Sequence, residues 1–80
     1  SRSMRHEIFD ALCAHPYGLT VQQLIPVIYP DPDREPEKAD EFVRIAISRG
    51  NKWFARFNSP FRFKRTTLGR YALWVRRVRK

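Results

Sequence analysis

The sequence predicts a small α+β domain, three short helices packed against a C-terminal two-stranded β-hairpin. Three observations predict it. Phe61–Trp74 (FRFKRTTLGRYALW) alternates apolar and basic residues on both sides of a break containing Gly69, the period-two pattern of a hairpin with a slightly long loop. Met4–Ala14 and the stretch after Pro36 carry apolar residues at helical spacing. Thr20-Val21-Gln22-Gln23 has the pattern of a helix capping box. A two-stranded hairpin is marginal alone in water, so its greasy face must lie on the helices. Eighty residues make one domain with a small core.

In chain order, Ser1-Arg2-Ser3 before Met4 reads as an expression scar, and the domain proper is expected over residues 4–75. Helix 1 is expected over Met4–Ala14. Met4, Ile8, Ala11 and Leu12 form its buried stripe, Phe9 and Cys13 widen it, and Ser3 stands at the N-cap position. His15-Pro16-Tyr17-Gly18 ends it, because a residue before proline is pushed away from helical geometry. After an extended Leu19, helix 2 is expected over Val21–Tyr29. Val21, Leu24, Ile25 and Ile28 face inward, and Pro26 introduces a slight kink. Pro30-Asp31-Pro32-Asp33-Arg34-Glu35 is an exposed acidic loop. Helix 3 is expected from Pro36 at N1 to about Arg49, with Gly50 as its C′ residue. Its buried face is Ala39, Phe42, Val43, Ala46 and Ile47; Glu37, Glu41, Arg44 and Ser48 face outward, with Ile45 at the edge. Asn51–Pro60 admits either a strand leading into the hairpin or a short helical turn. In the hairpin, Phe61 and Phe63 share one face and Arg62 and Lys64 the other. On the return strand Tyr71, Leu73 and Val75 lie opposite in sense to Arg70, Ala72, Trp74 and Arg76. Residues 76–80 form a loose basic tail.

The net charge is +8, and its distribution says more than its size. Charges cancel up to Pro30, the segment Asp31–Glu41 is acidic, and from Phe42 onward no Asp or Glu occurs. A field of one sign over half a small domain attracts a polyanion. No apolar run is long enough to cross a bilayer, so no membrane partner is expected. Cys13 is the only cysteine, which excludes an internal disulfide and fits an intracellular setting, cytoplasm with nucleoid or nucleus. His6, Cys13 and His15 match no zinc spacing, and no phosphate-cradling glycine loop occurs. No enzyme, metal or cofactor is therefore expected.

Helix, link, helix, loop, helix and ribbon, in that order, is the winged-helix arrangement. Its second and third helices form a helix-turn-helix, and its ribbon is the wing. In such proteins the third helix usually lies in the DNA major groove. Two stretches carry a resemblance to a family. Gly18-Leu19-Thr20-Val21-Gln22-Gln23-Leu24-Ile25 resembles the (P/G)LT-x-x-E/Q-I opening of HARE-type winged helix-turn-helix modules. Phe61-Arg62-Phe63-Lys64-Arg65, the Gly69 turn and Arg70-Tyr71-Ala72-Leu73 look like their terminal hairpin. The likeness spans most of Met4–Trp74 on short, degenerate motifs. It implies double-stranded DNA binding, in a transcription regulator or the targeting domain of a larger protein, or docking to transcription machinery. The chain departs from the pattern in the acidic loop Asp31–Glu35 and the aromatic stretch Trp53–Phe57.

The candidate DNA contacts fall in two groups. On helix 3 and its end they are Arg44, Ser48, Asn51 and Lys52. Asp40 is four residues before Arg44 and competes for it by an i,i+4 ion pair, while Glu37 and Glu41 would repel phosphates. On the wing they are Arg62, Lys64, Arg65 and Arg70, with Thr66 and Thr67 at the tip. Arginines grip phosphate bidentately, hydroxyls add contacts, and an arginine can enter a narrow minor groove. Two other classes stay open. The acidic segment Asp31–Glu41 can meet a basic protein partner. The aromatics Trp53, Phe54, Phe57, Phe61, Phe63, Tyr71 and Trp74 are core residues or, if exposed, a platform for single-stranded nucleic acid.

Overall fold

A computed structural model of the chain describes residues 3–76. Ser1 and Arg2 of the expected scar, and the expected tail beyond Arg76, lie outside the described residues. The elements run α1 (Met4–Ala14), α2 (Val21–Ile28), a single 3-10 turn (Pro32–Arg34), α3 (Ala39–Arg56), β1 (Phe61–Arg65) and β2 (Tyr71–Val75). Three helices with a C-terminal two-stranded antiparallel sheet are the winged-helix arrangement.

Helix α1 starts at Ser3, whose hydroxyl accepts a hydrogen bond from the His6 N–H at 3.3 Å. It buries Ile8 and Leu12, with Phe9 and Ala11 packed beside them. Cys13 is exposed, so it does not extend the buried stripe as expected. Helix α2 starts in the expected capping box. The Gln23 N–H donates to the Thr20 hydroxyl at 3.2 Å, and the Thr20 N–H donates to the Gln23 carbonyl oxygen at 2.9 Å. Tyr29 is its cap rather than its last residue, and Val21, Leu24 and Ile25 are buried. Leu19 forms a one-residue bridge to Tyr71, at 2.9 and 2.7 Å, and covers the outer edge of β2. Gly18 makes this approach possible. Its φ is +89°, and a Cβ there would lie 2.6 Å from the Tyr71 carbonyl oxygen.

Helix α3 differs from the expectation at both ends. It begins at Ala39, because residues 36–39 close a tight turn, with the Ala39 N–H on the Pro36 carbonyl at 3.1 Å. It ends at Arg56 and passes straight through Gly50. The missing Cβ of Gly50 serves packing instead of termination: a Cβ there would lie 2.8 Å from the Phe63 ring. The C′ residue is Asn58, with φ +52°. Its N–H bonds to Ala55 O at 3.2 Å and the Ser59 N–H to Phe54 O at 2.8 Å, the paired bonds of a Schellman motif. The region after Gly50 is thus two further turns of helix, which present Phe54 to the core.

The hairpin register pairs Phe61 with Val75, Phe63 with Leu73 and Arg65 with Tyr71 on one face. Arg62 with Trp74 and Lys64 with Ala72 make the other. The loop is closed by Thr66 N–H to Arg70 O at 2.7 Å and by Gly69 in the left-handed region at φ +72°. Phe63 is buried, and Phe61, Tyr71 and Leu73 pack partly against a core centred on Ile8, Leu12, Leu24 and Val43. Each such side chain fully buried contributes about 1.5–3 kcal/mol. Phe42 is not among them: it is partly exposed, as are Trp53, Phe57 and Trp74.

Candidate nucleic-acid interface

The side of α3 that faces the wing carries Arg44, Ser48, Asn51, Lys52 and Ala55, spaced to lie on one stripe. Because α3 continues past Gly50, this stripe runs alongside β1, and a shallow groove opens between them. Ile47, Phe63 and Tyr71 form its floor, and Arg44, Ser48, Lys52 and Arg65 line it. A second concavity adjoins it, between the start of α2 and the wing, lined by Thr20, Gln22, Arg44, Arg65, Gly69 and Tyr71. Arg44 and Arg65 belong to both, so α2, α3 and the hairpin share one continuous surface.

Asn51 holds that surface together. Its Nδ2 donates to the Phe63 carbonyl at 2.9 Å, and the Phe63 N–H donates to its Oδ1 at 2.7 Å. The amide behaves as a one-residue strand on the edge of β1, and it ties the wing to α3. Both hydrogen-bonding ends of this side chain are therefore engaged inside the protein.

The basic residues differ in freedom. Arg44 forms the anticipated pair with Asp40, Nη1 to Oδ2 at 3.0 Å, with both side chains about half exposed. An exposed pair of this kind is held by only about 0.3–0.5 kcal/mol, so a phosphate can compete for the guanidinium. Arg62 folds back onto main chain, donating to Ser59 O at 2.9 Å and Phe61 O at 2.6 Å. Lys64 sits 4.1 Å from the centre of the Trp74 ring, on the hairpin face turned away from the groove. Among the described residues, Lys52, Arg65 and Arg70 make no ion pair or side-chain hydrogen bond. Arg70 is half-buried beside Gly18. The wing cations therefore do not form one patch around the tip. Strand alternation sends Arg65 into the groove and Arg62 and Lys64 to the opposite face.

At the tip, Thr67 is exposed, whereas the Thr66 hydroxyl oxygen is buried with no hydrogen-bond partner among the described residues. Leu68 projects at the tip with 77% of its surface exposed. Sequence reasoning passed over Leu68 and over Gln22 in the adjoining concavity, and weighed Tyr71 only as a core residue or a stacking platform. The Gly-containing loop around Leu68 was legible, but an exposed leucine carries no periodic signal. The acidic segment spends part of its charge internally. Asp31 Oδ1 accepts from the Asp33 N–H at 3.0 Å, and its other oxygen lies 3.7 Å from Arg34.

Comparison with family profiles, curated proteins and solved structures finds no match to this chain. Among the described residues, no helix is long and apolar enough to cross a membrane. No three His, Cys, Asp or Glu side chains among them come together as a metal site would require. The groove offers cations and a hydroxyl on an open surface, which is chemistry for holding an anion.

Proposed function

We propose that this chain is a double-stranded DNA-binding winged-helix module, in a transcription regulator or as the DNA-targeting domain of a larger protein. One observation carries the reading: Arg44, Ser48, Lys52 and Arg65 converge on a single groove in a half-chain that contains no acidic residue. The duplex backbone supplies the complementary charge. Asp40 and Glu41 in the first turn of α3 keep that end away from phosphates. The C-terminal half of α3, from Arg44 to Lys52, then approaches the major groove, and the wing straddles the backbone with Arg65. Leu68 at the tip is placed to wedge against the minor groove, where apolar side chains partly unstack base steps. Under this reading the Gly18–Ile25 opening and the hairpin ending belong to a HARE-type module acting inside the cell.

Amide chemical-shift mapping tests it. On titration with a mixed-sequence duplex, the amides of Ser48, Lys52, Arg65, Leu68 and Gly69 should move first. Shifts confined to Phe42, Trp53 and Phe57, or none at all, would remove the groove from the proposal.

A further inference from the structure

The side of α3 turned away from the Arg44–Lys52 groove carries a second stripe: Phe42, Ile45, Trp53 and Phe57, which are 44, 45, 39 and 60% exposed. A contiguous exposed apolar patch on one helix face is a mark of an interaction site. Two adjoining hollows open along them. One, of about 390 Å³, is floored by Phe9, Phe54 and Phe61 and walled by Trp53 and Phe57, with Arg5 and His6 at its mouth. The other lies between Tyr29, Phe42 and Ile45, and carries Arg49. Arg5 and Trp53 belong to both.

The charged side chains that line these hollows have one sign. Neither lining contains an Asp or Glu among the described residues, while Arg5 and Arg49 border them. Arg56 adds a third guanidinium, 5.9 Å from the Phe57 ring. Aromatic rings and arginines without acids or lysines are the composition of a protein-interface core, not of a solvated face. The Arg5 guanidinium is stacked 3.8 Å above the Trp53 ring, which fixes the shared wall of the two hollows.

We propose that this stripe docks an acidic amphipathic segment of a partner protein. It seats an aromatic or branched aliphatic anchor between Phe9, Trp53 and Phe57, and sets its carboxylates against Arg5, Arg49 and Arg56. Charge complementarity chooses this occupant. A second copy of the chain in a two-fold contact would bring the same arginines against one another. A single-stranded nucleic acid needs free ring faces. Trp53 instead carries Arg5 and packs on Phe54 and Phe57 at centroid distances of 5.8 and 4.8 Å, as a pocket wall. The stripe and the wing groove lie on different sides of α3, so the chain can hold DNA and the partner segment together.

The test is selection of peptides from a random phage-displayed library on the immobilised full chain, in the presence of nuclease. The selected peptides should be acidic with aromatic or leucine anchors. They should bind Phe57→Ala and Ile45→Ala variants about tenfold or more weakly, the scale of losing one buried anchor contact. Both side chains are too exposed for these changes to unfold the domain, and duplex affinity should stay within about twofold, below the loss of one anchor. No enrichment, a basic or neutral consensus, or peptides indifferent to both variants would overturn the proposal. So would displacement of the peptides by an oligothymidylate, which would give the stripe to nucleic acid. A concentration-dependent dimer abolished by Phe57→Ala would give it to a second copy.

Discussion

Replacing Asn51 by alanine removes the joint between α3 and the wing. Two hydrogen bonds go, at 2.9 and 2.7 Å, and with them the only side-chain partner of the Phe63 N–H and C=O among the described residues. Each bond contributes about 1 kcal/mol net, and a main-chain group left unpaired at a partly buried site costs about 1–3 kcal/mol. The site is only part-buried, so water takes up some of the loss, and the sum is about 2–3 kcal/mol. In a domain of this size each kcal/mol lowers Tm by about 4–8 °C, so the variant should melt roughly 10–20 °C below the parent. Far-ultraviolet circular dichroism gives the melt, and hydrogen exchange gives the Phe63 amide directly, which should lose its protection while the amides of Leu24 and Val43 keep theirs. Duplex affinity should fall as well, although Asn51 offers DNA no free group, because the groove loses its fixed width. A melt within about 3 °C of the parent, under 1 kcal/mol, with Phe63 still protected, would show that the wing is held by its apolar face alone.

Other outcomes follow from the same geometry. Gly18→Ala should destabilise by about 2–4 kcal/mol, from left-handed strain plus the clash with the Tyr71 carbonyl, read in a urea melt. Thr20→Ala breaks the capping box and should cost about 1 kcal/mol by the same melt. Asp40→Ala releases Arg44 at a stability cost of about 0.3–0.5 kcal/mol, and duplex affinity should rise rather than fall, seen by anisotropy. Neutralising Lys52 and Arg65 together should reduce the steepness of the salt dependence by about 2, whereas Lys64→Ala, on the far face, should change it by less than about 0.5.

The local grammar of this chain was readable. A capping box, a period-two ribbon around Gly69 and the stripe of α1 are each decided by neighbours in sequence. Gly50 was not, because a glycine serves both a left-handed turn and a close approach, and only Phe63, distant in sequence, distinguishes them. Asn58 takes the left-handed position instead, a less frequent choice that gives a weaker signal. Phe42 reads as buried on helical periodicity, but an eighty-residue chain has too few elements to cover every side of a long helix. In the groove, Arg44 and Ser48 were legible as one outward face, but Lys52 joins them only because α3 runs on past Gly50. The engagement of Asn51 with β1 and the return of Arg62 onto main chain were not, since both depend on where α3 ends.

The most direct measurement is fluorescence anisotropy of a labelled mixed-sequence duplex, titrated with the full chain at several salt concentrations. Binding through the groove and wing, with Arg44, Lys52, Arg65 and Arg70 neutralising about three to four phosphates, should give a log–log slope of roughly −3 to −4. Absence of binding at low salt, or an affinity indifferent to salt, would contradict duplex recognition by this surface.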